Sequence, residues 1–183
     1  MMKPFLLTLA LAVICSTATF GQTEKGSKML GGTGNLGFSD GISVTVQPSI
    51  GFFVADNFAI GSALGLYYYN RDDIRQNGIA IQPFIRYYIG ESMPIRPFVE
   101  ASGGYMTSKT KYSYSGNSFE QKYNNGFFGA GVGAAYFLTN QVGLEAMLYY
   151  RTSEDRGLIN YQGNSRLGIS FGFQIYLPGS SAK

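Results

Sequence analysis

The last regular segment of the chain, residues 166–177, alternates between large apolar side chains and small or polar ones. One face consists of Leu167, Ile169, Phe171, Phe173, Ile175 and Leu177, and the other of Gly168, Ser170, Gly172, Gln174 and Tyr176. A period of two over this length predicts a β-strand. In a soluble barrel the apolar face would point into the core, whereas in a membrane-spanning barrel it would point toward lipid. The rest of the chain has to distinguish these two arrangements.

Seven more segments alternate in the same way and are predicted to be strands. They are residues 28–38, 42–54, 58–70, 78–90, 95–108, 126–138 and 141–153. All eight segments are as long as, or slightly longer than, the roughly 9–11 residues that a tilted strand needs to cross a bilayer. Short turns at 55–57, 90–94 and 139–140 alternate with longer polar connections at 71–77, 109–125 and 154–165. Short turns at one end and long loops at the other are typical of outer-membrane barrels, and only the short turn at 39–41 departs from this pattern.

Aromatic residues on the apolar faces fall into two groups. Those near the short-turn end are Phe52, Phe58, Tyr87 and Tyr136, and those near the long-loop end are Phe38, Tyr68, Tyr105, Phe128 and Tyr150. Because aromatic girdles mark the two membrane interfaces of a barrel, this distribution favours the membrane-spanning arrangement. A soluble, eight-stranded lipocalin-like barrel remains the alternative fold.

The N-terminus has the features of an export signal. Lys3 precedes an apolar run at 5–15 and a small-residue run at 16–21, so we expect cleavage before Gln22. A lipoprotein signal at Cys15 is the alternative, although Ile14 stands where such signals have a small residue. We therefore expect a signal peptide at 1–21, a short periplasmic lead at 22–27, a barrel at 28–178 and a tail at 179–183. Cleavage would remove the one cysteine, and with it any disulfide or thiol chemistry.

On these patterns the chain resembles the small eight-stranded outer-membrane barrels, the OmpA/OmpX-like group and the outer membrane protein β-barrel domain family, over roughly residues 28–177. The resemblance implies an all-β, eight-stranded, antiparallel up-and-down transmembrane β-barrel in the outer membrane of a Gram-negative bacterium. It also implies outer-membrane lipid, lipopolysaccharide and the barrel assembly machinery as partners, and we expect a monomer. Many such chains end on an aromatic residue, whereas here Leu177 is followed by six more residues. We therefore expect residues 171–177 to act as the assembly signal.

Charged and amide side chains on the predicted inner faces form one candidate site. The set consists of Arg86, Arg96, Glu100, Glu145, Arg151, Gln47, Gln82 and Gln174. Because buried charges require partners, we expect an ion-pair and amide network that fills a narrow barrel. The alternative is a gated passage, or a shallow pocket formed by the glycines of the first, third and sixth strands.

Catalysis and nucleic-acid binding have little support in the sequence. The chain has no histidine, so the base that serves barrel acyltransferases and proteases is missing, and we expect no enzyme, metal or cofactor. Glu100 and Glu145 are two carboxylates, but nothing else points to a glycosidase. The net charge of +3 is scattered, which excludes a basic footprint for nucleic acid. The G-x-G-x-x-G at 32–37 precedes a strand and not a helix, so it is no dinucleotide fingerprint.

A second candidate site is the long polar run at 109–125. Its cations and aromatic residues are Lys109, Lys111, Tyr112, Tyr114, Phe119, Lys122 and Tyr123. On a loop held by a rigid barrel, such residues suit contact with glycans, lipid headgroups or an extracellular protein. Alternatively, the tyrosines simply extend the hairpin. We therefore expect a structural or surface-interaction barrel, and a narrow channel or a transport barrel for small hydrophobic ligands is the alternative.

Overall fold

A computed structural model describes residues 23–37, 42–90, 94–114, 117–153 and 167–179. The predicted signal peptide at 1–21 lies outside the described residues. The strands are β1 (Lys28–Gly37), β2 (Ile42–Ala55), β3 (Phe58–Arg71), β4 (Ile74–Tyr88), β5 (Ile95–Tyr114), β6 (Asn117–Phe137), β7 (Val142–Ser153) and β8 (Leu167–Leu177). In this part of the chain no helix is long and apolar enough to cross a membrane.

The eight strands form a closed barrel in sequence order, and every neighbouring pair is antiparallel. β1 pairs with β8 from Lys28 opposite Leu177 to Gly34 opposite Phe171. Over these seven residue pairs the first and last strands are each other's partners, so the seam closes the sheet into a barrel. The predicted eight-stranded up-and-down barrel is confirmed.

The apolar side chains of the strands lie on the outside of the barrel. On β8, Phe171 is 62% exposed, whereas Gln174 on the other face is 2% exposed. The predicted girdle residues Phe52, Tyr87, Tyr136, Tyr68, Tyr105, Phe128 and Tyr150 are exposed, Phe58 is half-buried, and Phe38 is not among the described residues. An apolar exterior, with the charged and amide side chains of the strands turned inward, is the arrangement of a transmembrane barrel and the reverse of a soluble one.

Two segments predicted to be loops are strands instead. β3 and β4 meet at a two-residue turn, Asp72 and Asp73, so most of the predicted loop at 71–77 belongs to β4. β5 and β6 pair continuously as far as Tyr114 opposite Asn117, so the predicted loop at 109–125 is a long hairpin. The Asn125–Gly126 step, predicted to be a turn, lies within the ladder opposite Met106 and Tyr105. Two of the three long loops are therefore extensions of the barrel wall, and we call this end of the barrel the long-hairpin end.

Inside the narrow barrel, several aromatic side chains lie directly opposite glycines on the neighbouring strand. The directly opposed pairs are Gly61 with Phe84, Gly78 with Tyr67, Gly104 with Phe127, Gly133 with Phe98, and Gly168 with Tyr149. A Cβ at Gly133 would lie 2.5 Å from Phe98 Cζ and 2.6 Å from the carbonyl oxygen of Ala146. The aromatic rings therefore occupy the space that the missing side chains leave, as in a tightly packed core.

Replacing Gly133 with alanine is expected to destabilise the barrel by about 1–3 kcal/mol, because the new methyl group has to displace both a ring and a backbone carbonyl. Gly34→Ala is the matched control, since its Cβ would meet its nearest neighbour at 3.7 Å. Urea unfolding of the barrel in detergent, followed by heat-modified gel mobility, measures both variants. Equal stability of Gly133→Ala and Gly34→Ala would show that the interior is looser than the close contacts at Gly133 imply.

Candidate functional site

The centre of the interior site is the guanidinium of Arg86, which lies between two carboxylates. Its Nε donates to Glu100 Oε2 at 2.8 Å, and its Nη1 donates to Glu145 Oε1 and Oε2 at 2.9 and 2.8 Å. Register places Glu100 directly opposite Arg86 in the β4–β5 ladder, whereas Glu145 reaches Arg86 from β7, across the barrel interior. Arg86, Glu100 and Glu145 are all buried.

Two tyrosines that the sequence analysis did not include complete this network. Tyr88 OH accepts from Arg86 Nη1 at 3.0 Å and lies 2.8 Å from Tyr176 OH, which donates to Glu145 Oε1 at 2.9 Å. Both lie on the inner faces that the period-two pattern defines, Tyr88 two residues after Arg86 and Tyr176 two residues after Gln174. A shared strand face is therefore the sequence signal that could have added them to the predicted site.

Buried apolar side chains pack around the network. Met29, Phe53, Ala59, Phe84, Tyr88, Phe98, Ala135 and Tyr176 form one buried cluster. The Arg86 guanidinium carbon lies 4.2 Å from the centre of the Phe98 ring, within cation–π range. The charged side chains of the network are thus one guanidinium and two carboxyl groups, in contact inside the barrel.

The mouth of the barrel at the short-turn end is occupied by residues 23–27, which precede β1. Thr23 is buried, and its Oγ1 donates to Asn57 Oδ1 and accepts from Arg96 Nη1, both at 2.5 Å. Gly26 N also donates to Phe53 O at 2.8 Å. The structure thus pairs Arg96 with Thr23, away from the Arg86 network, and the predicted periplasmic lead packs against the barrel.

A cavity of about 50 Å³ lies on the other side of the Arg86 network. Six of the predicted interior residues line it, namely Gln47, Gln82, Arg86, Glu100, Arg151 and Gln174. Gln82 Oε1 accepts from Gln47 Nε2 and from Arg151 Nη2, each at 3.1 Å. Ser170 Oγ and Gln174 Oε1 have no hydrogen-bond partner among the described residues. The cavity has room for a few water molecules to satisfy such groups, and it is too small for a drug-sized ligand.

The second candidate site is divided by the hairpin's two faces. Lys109, Lys111 and Lys122 lie on the outward face, and Tyr112, Phe119 and Tyr123 lie on the other. Tyr112 is directly opposite Phe119, and Tyr123 OH donates to Gln121 Oε1. The side chain of Tyr114 is not among those described. Within the described part of the chain, no three His, Cys, Asp or Glu side chains are grouped as metal ligands.

A closed eight-stranded barrel with an apolar exterior and a buried polar network defines the class of transmembrane β-barrels. The model of the outer membrane protein beta-barrel domain matches residues 6–174 of this sequence. The chain belongs to that family and is an outer-membrane β-barrel protein.

Solved structures show the same fold at low sequence identity. A major outer membrane protein from Thermus thermophilus is 16% identical, with a TM-score of 0.54, over 82% of this chain and 99% of the other. The Neisserial surface protein A has 13% identity and a TM-score of 0.51, over 81% and 93%. The N-terminal β-barrel domain of Pseudomonas aeruginosa OprF has 19% identity and a TM-score of 0.50, over 84% and 97%. Comparison with curated proteins gives no match.

Proposed function

We propose that this barrel is a membrane anchor that holds the β5–β6 hairpin outside the bilayer as a contact surface for an extracellular protein or glycan. The length of the hairpin carries the proposal. β5 has 20 residues and β6 has 21, about twice the 9–11 that a tilted strand needs to cross a bilayer. At about 3.3 Å per residue and a 45° tilt, such strands rise roughly 45 Å, against an apolar band of about 25 Å. About 20 Å of hairpin is therefore available beyond the band.

Bracing by the neighbouring hairpin makes this surface rigid. β4 pairs with β5 as far as Ile74 opposite Tyr112, and Ser113 N donates to Asp73 O at 2.8 Å. A surface that is already ordered loses little conformational entropy when a partner binds. Phe119 is 63% exposed beside Tyr112, and exposed aromatic residues on an ordered scaffold are suited to contact with proteins and sugars.

The interior supports a structural barrel more than a channel or a transporter. The Arg86 network and the rings of Phe53, Phe98, Tyr88 and Tyr176 lie across the barrel near the short-turn end. The small volume of the cavity, and the charged and amide side chains in its lining, also weigh against a hydrophobic ligand.

We further propose that the signal at 1–21 directs export and that the barrel assembly machinery of a Gram-negative cell inserts the barrel with its short-turn end in the periplasm. The proposed role is binding without catalysis.

Binding to immobilised glycans and extracellular-matrix proteins tests this function. Purified barrel in lipid nanodiscs is expected to bind a component of such an array, and Phe119→Ser is expected to weaken that binding at least tenfold by removing an exposed aromatic contact. Leu138→Ser is the matched control, since Leu138 is an exposed apolar residue at the short-turn end. Equal binding by both variants, or no binding by the native chain, would contradict the proposal. Discrete conductance steps of the native barrel in planar bilayers would support the channel instead.

A further inference from the structure

A group of cations lies on the outer wall of the barrel beyond the aromatic girdle, on three adjacent strands. Arg75 on β4 is directly opposite Lys111 on β5, and Lys109 on β5 is directly opposite Lys122 on β6. All four side chains are exposed. They share the outward face with Ile79 and Ile81 of β4 and Tyr105 of β5, so they project from the outer wall of the barrel and not into its lumen.

The pairing of like charges in this basic face is unfavourable within the protein itself. Directly opposed like charges on neighbouring strands destabilise a sheet. Glu120 is opposite Lys111, and its Oε1 lies 3.4 Å from Lys109 Nζ. Four cations and this one carboxylate give the group a net charge of +3. The Lys109 and Glu120 side chains are 63% and 57% exposed, and such a solvated ion pair contributes little.

The position of the basic face along the barrel places it at the headgroup layer. Tyr105 belongs to the girdle, where tyrosine rings lie at the boundary between acyl chains and headgroups. Lys109 is four residues further along the same strand and face. At about 3.3 Å per residue and a 45° tilt, its Cα lies about 9 Å beyond Tyr105 along the membrane normal, and the Cα of Lys111, with Arg75 opposite, lies about 14 Å beyond it, so these long side chains extend back along the wall to reach the headgroups. Lysine side chains at this height extend toward the headgroups.

We propose that Arg75, Lys109, Lys111 and Lys122 bind the phosphate groups of phosphorylated lipids in the leaflet at the long-hairpin end. A phosphate between two opposed cations accepts hydrogen bonds from both and removes their repulsion. Lipid is the expected partner because the outward face at this height borders the leaflet, whereas an acidic protein would have to displace headgroups to reach it. This binding is independent of the proposed contact surface, since Tyr112 and Phe119 lie on the opposite face of the hairpin.

Electron paramagnetic resonance of spin-labelled lipids tests the proposal on the full barrel in phosphatidylcholine vesicles. The motionally restricted fraction gives the association constant of spin-labelled phosphatidic acid relative to spin-labelled phosphatidylcholine. Lys109→Gln combined with Lys122→Gln is expected to lower this ratio about tenfold or more, since each cation near an anionic surface contributes about fivefold. Glu120→Gln is expected to raise the ratio, and salt to lower it for the native chain.

A charge-matched control separates the basic face from overall net charge. Lys25→Gln combined with Lys28→Gln also removes two exposed cations, but at the short-turn end, where they form no opposed like-charge pair with each other. The proposal predicts a clearly smaller loss for this control. It is overturned if both double variants lose phosphatidic acid preference equally, or if Glu120→Gln lowers the ratio while heat-modified gel mobility shows that the barrel is folded.

Discussion

Replacing Arg86 with methionine is expected to destabilise the barrel by about 3–5 kcal/mol, because removing one member of a buried ion network leaves the other members uncompensated. Here the members left are Glu100 and Glu145, both buried and both hydrogen-bonded to the lost guanidinium. Urea unfolding of the barrel in detergent, followed by heat-modified gel mobility, gives the free energy. Arg86→Lys retains the charge but loses the planar, two-sided geometry, so an intermediate loss is expected.

A rescue variant tests whether the uncompensated charge is the cause. Glu100→Gln and Glu145→Gln added to Arg86→Met remove both carboxylates, and neutral replacement of a whole buried ion network is often tolerated. The triple variant should therefore be more stable than Arg86→Met alone. Arg75→Met, which removes an exposed arginine from the same strand, should leave the unfolding midpoint nearly unchanged. A triple variant as unstable as Arg86→Met would assign the loss to packing instead of charge.

Phe171→Arg is expected to reduce the free energy of unfolding by about 2–4 kcal/mol, the range for a cation on the lipid face near the middle of the bilayer. Phe171 is near the middle of β8 and 62% exposed. Phe119 is 63% exposed but lies on the hairpin beyond the membrane, so Phe119→Arg makes the same change in water. Unfolding of both variants in lipid vesicles compares the two environments.

The difference between these two variants is the informative quantity. A soluble barrel would tolerate both substitutions, because both side chains would be in water. If Phe171→Arg assembles and unfolds like Phe119→Arg, the apolar outer surface does not face lipid. If only Phe171→Arg is destabilised, the apolar face first seen in residues 166–177 is the lipid face.

The sequence predicted the strands, their order and their faces wherever one face meets lipid. β8 illustrates this, because each apolar residue there alternates with a small or polar one. Beyond the bilayer both faces of a strand are in water, so the alternation disappears. For this reason the polar run at 109–125 was predicted to be a loop, with extension of the hairpin by its tyrosines as the alternative. The structure shows the extension, because Lys109 to Tyr114 continues β5. The alternation of apolar and polar residues therefore does not reveal such hairpins, because their strands continue the pairing of the barrel below them.

The contacts between interior side chains were harder to predict than the strand faces on which those side chains lie. The inner face of β4 gave Gln82 and Arg86, but pattern alone does not show that Arg86 contacts Glu145, 59 residues away. That contact depends on the curvature of the closed barrel. Arg96 was grouped with the same network, yet the structure pairs it with Thr23, a residue outside every predicted strand. Strand periodicity shows which side chains point inward, but not which of them meet across the closed barrel.

The braced hairpin also makes the barrel a scaffold for display. Its strands remain paired as far as Tyr114 and Asn117, and only two residues separate them in the chain. Hairpin tips of this kind tolerate insertions, because their backbone is not needed for the core. A peptide epitope grafted between Tyr114 and Asn117 would be held by two paired strands that continue from the membrane-spanning barrel. The spacing from the bilayer would then be set by strand length and not by a flexible linker.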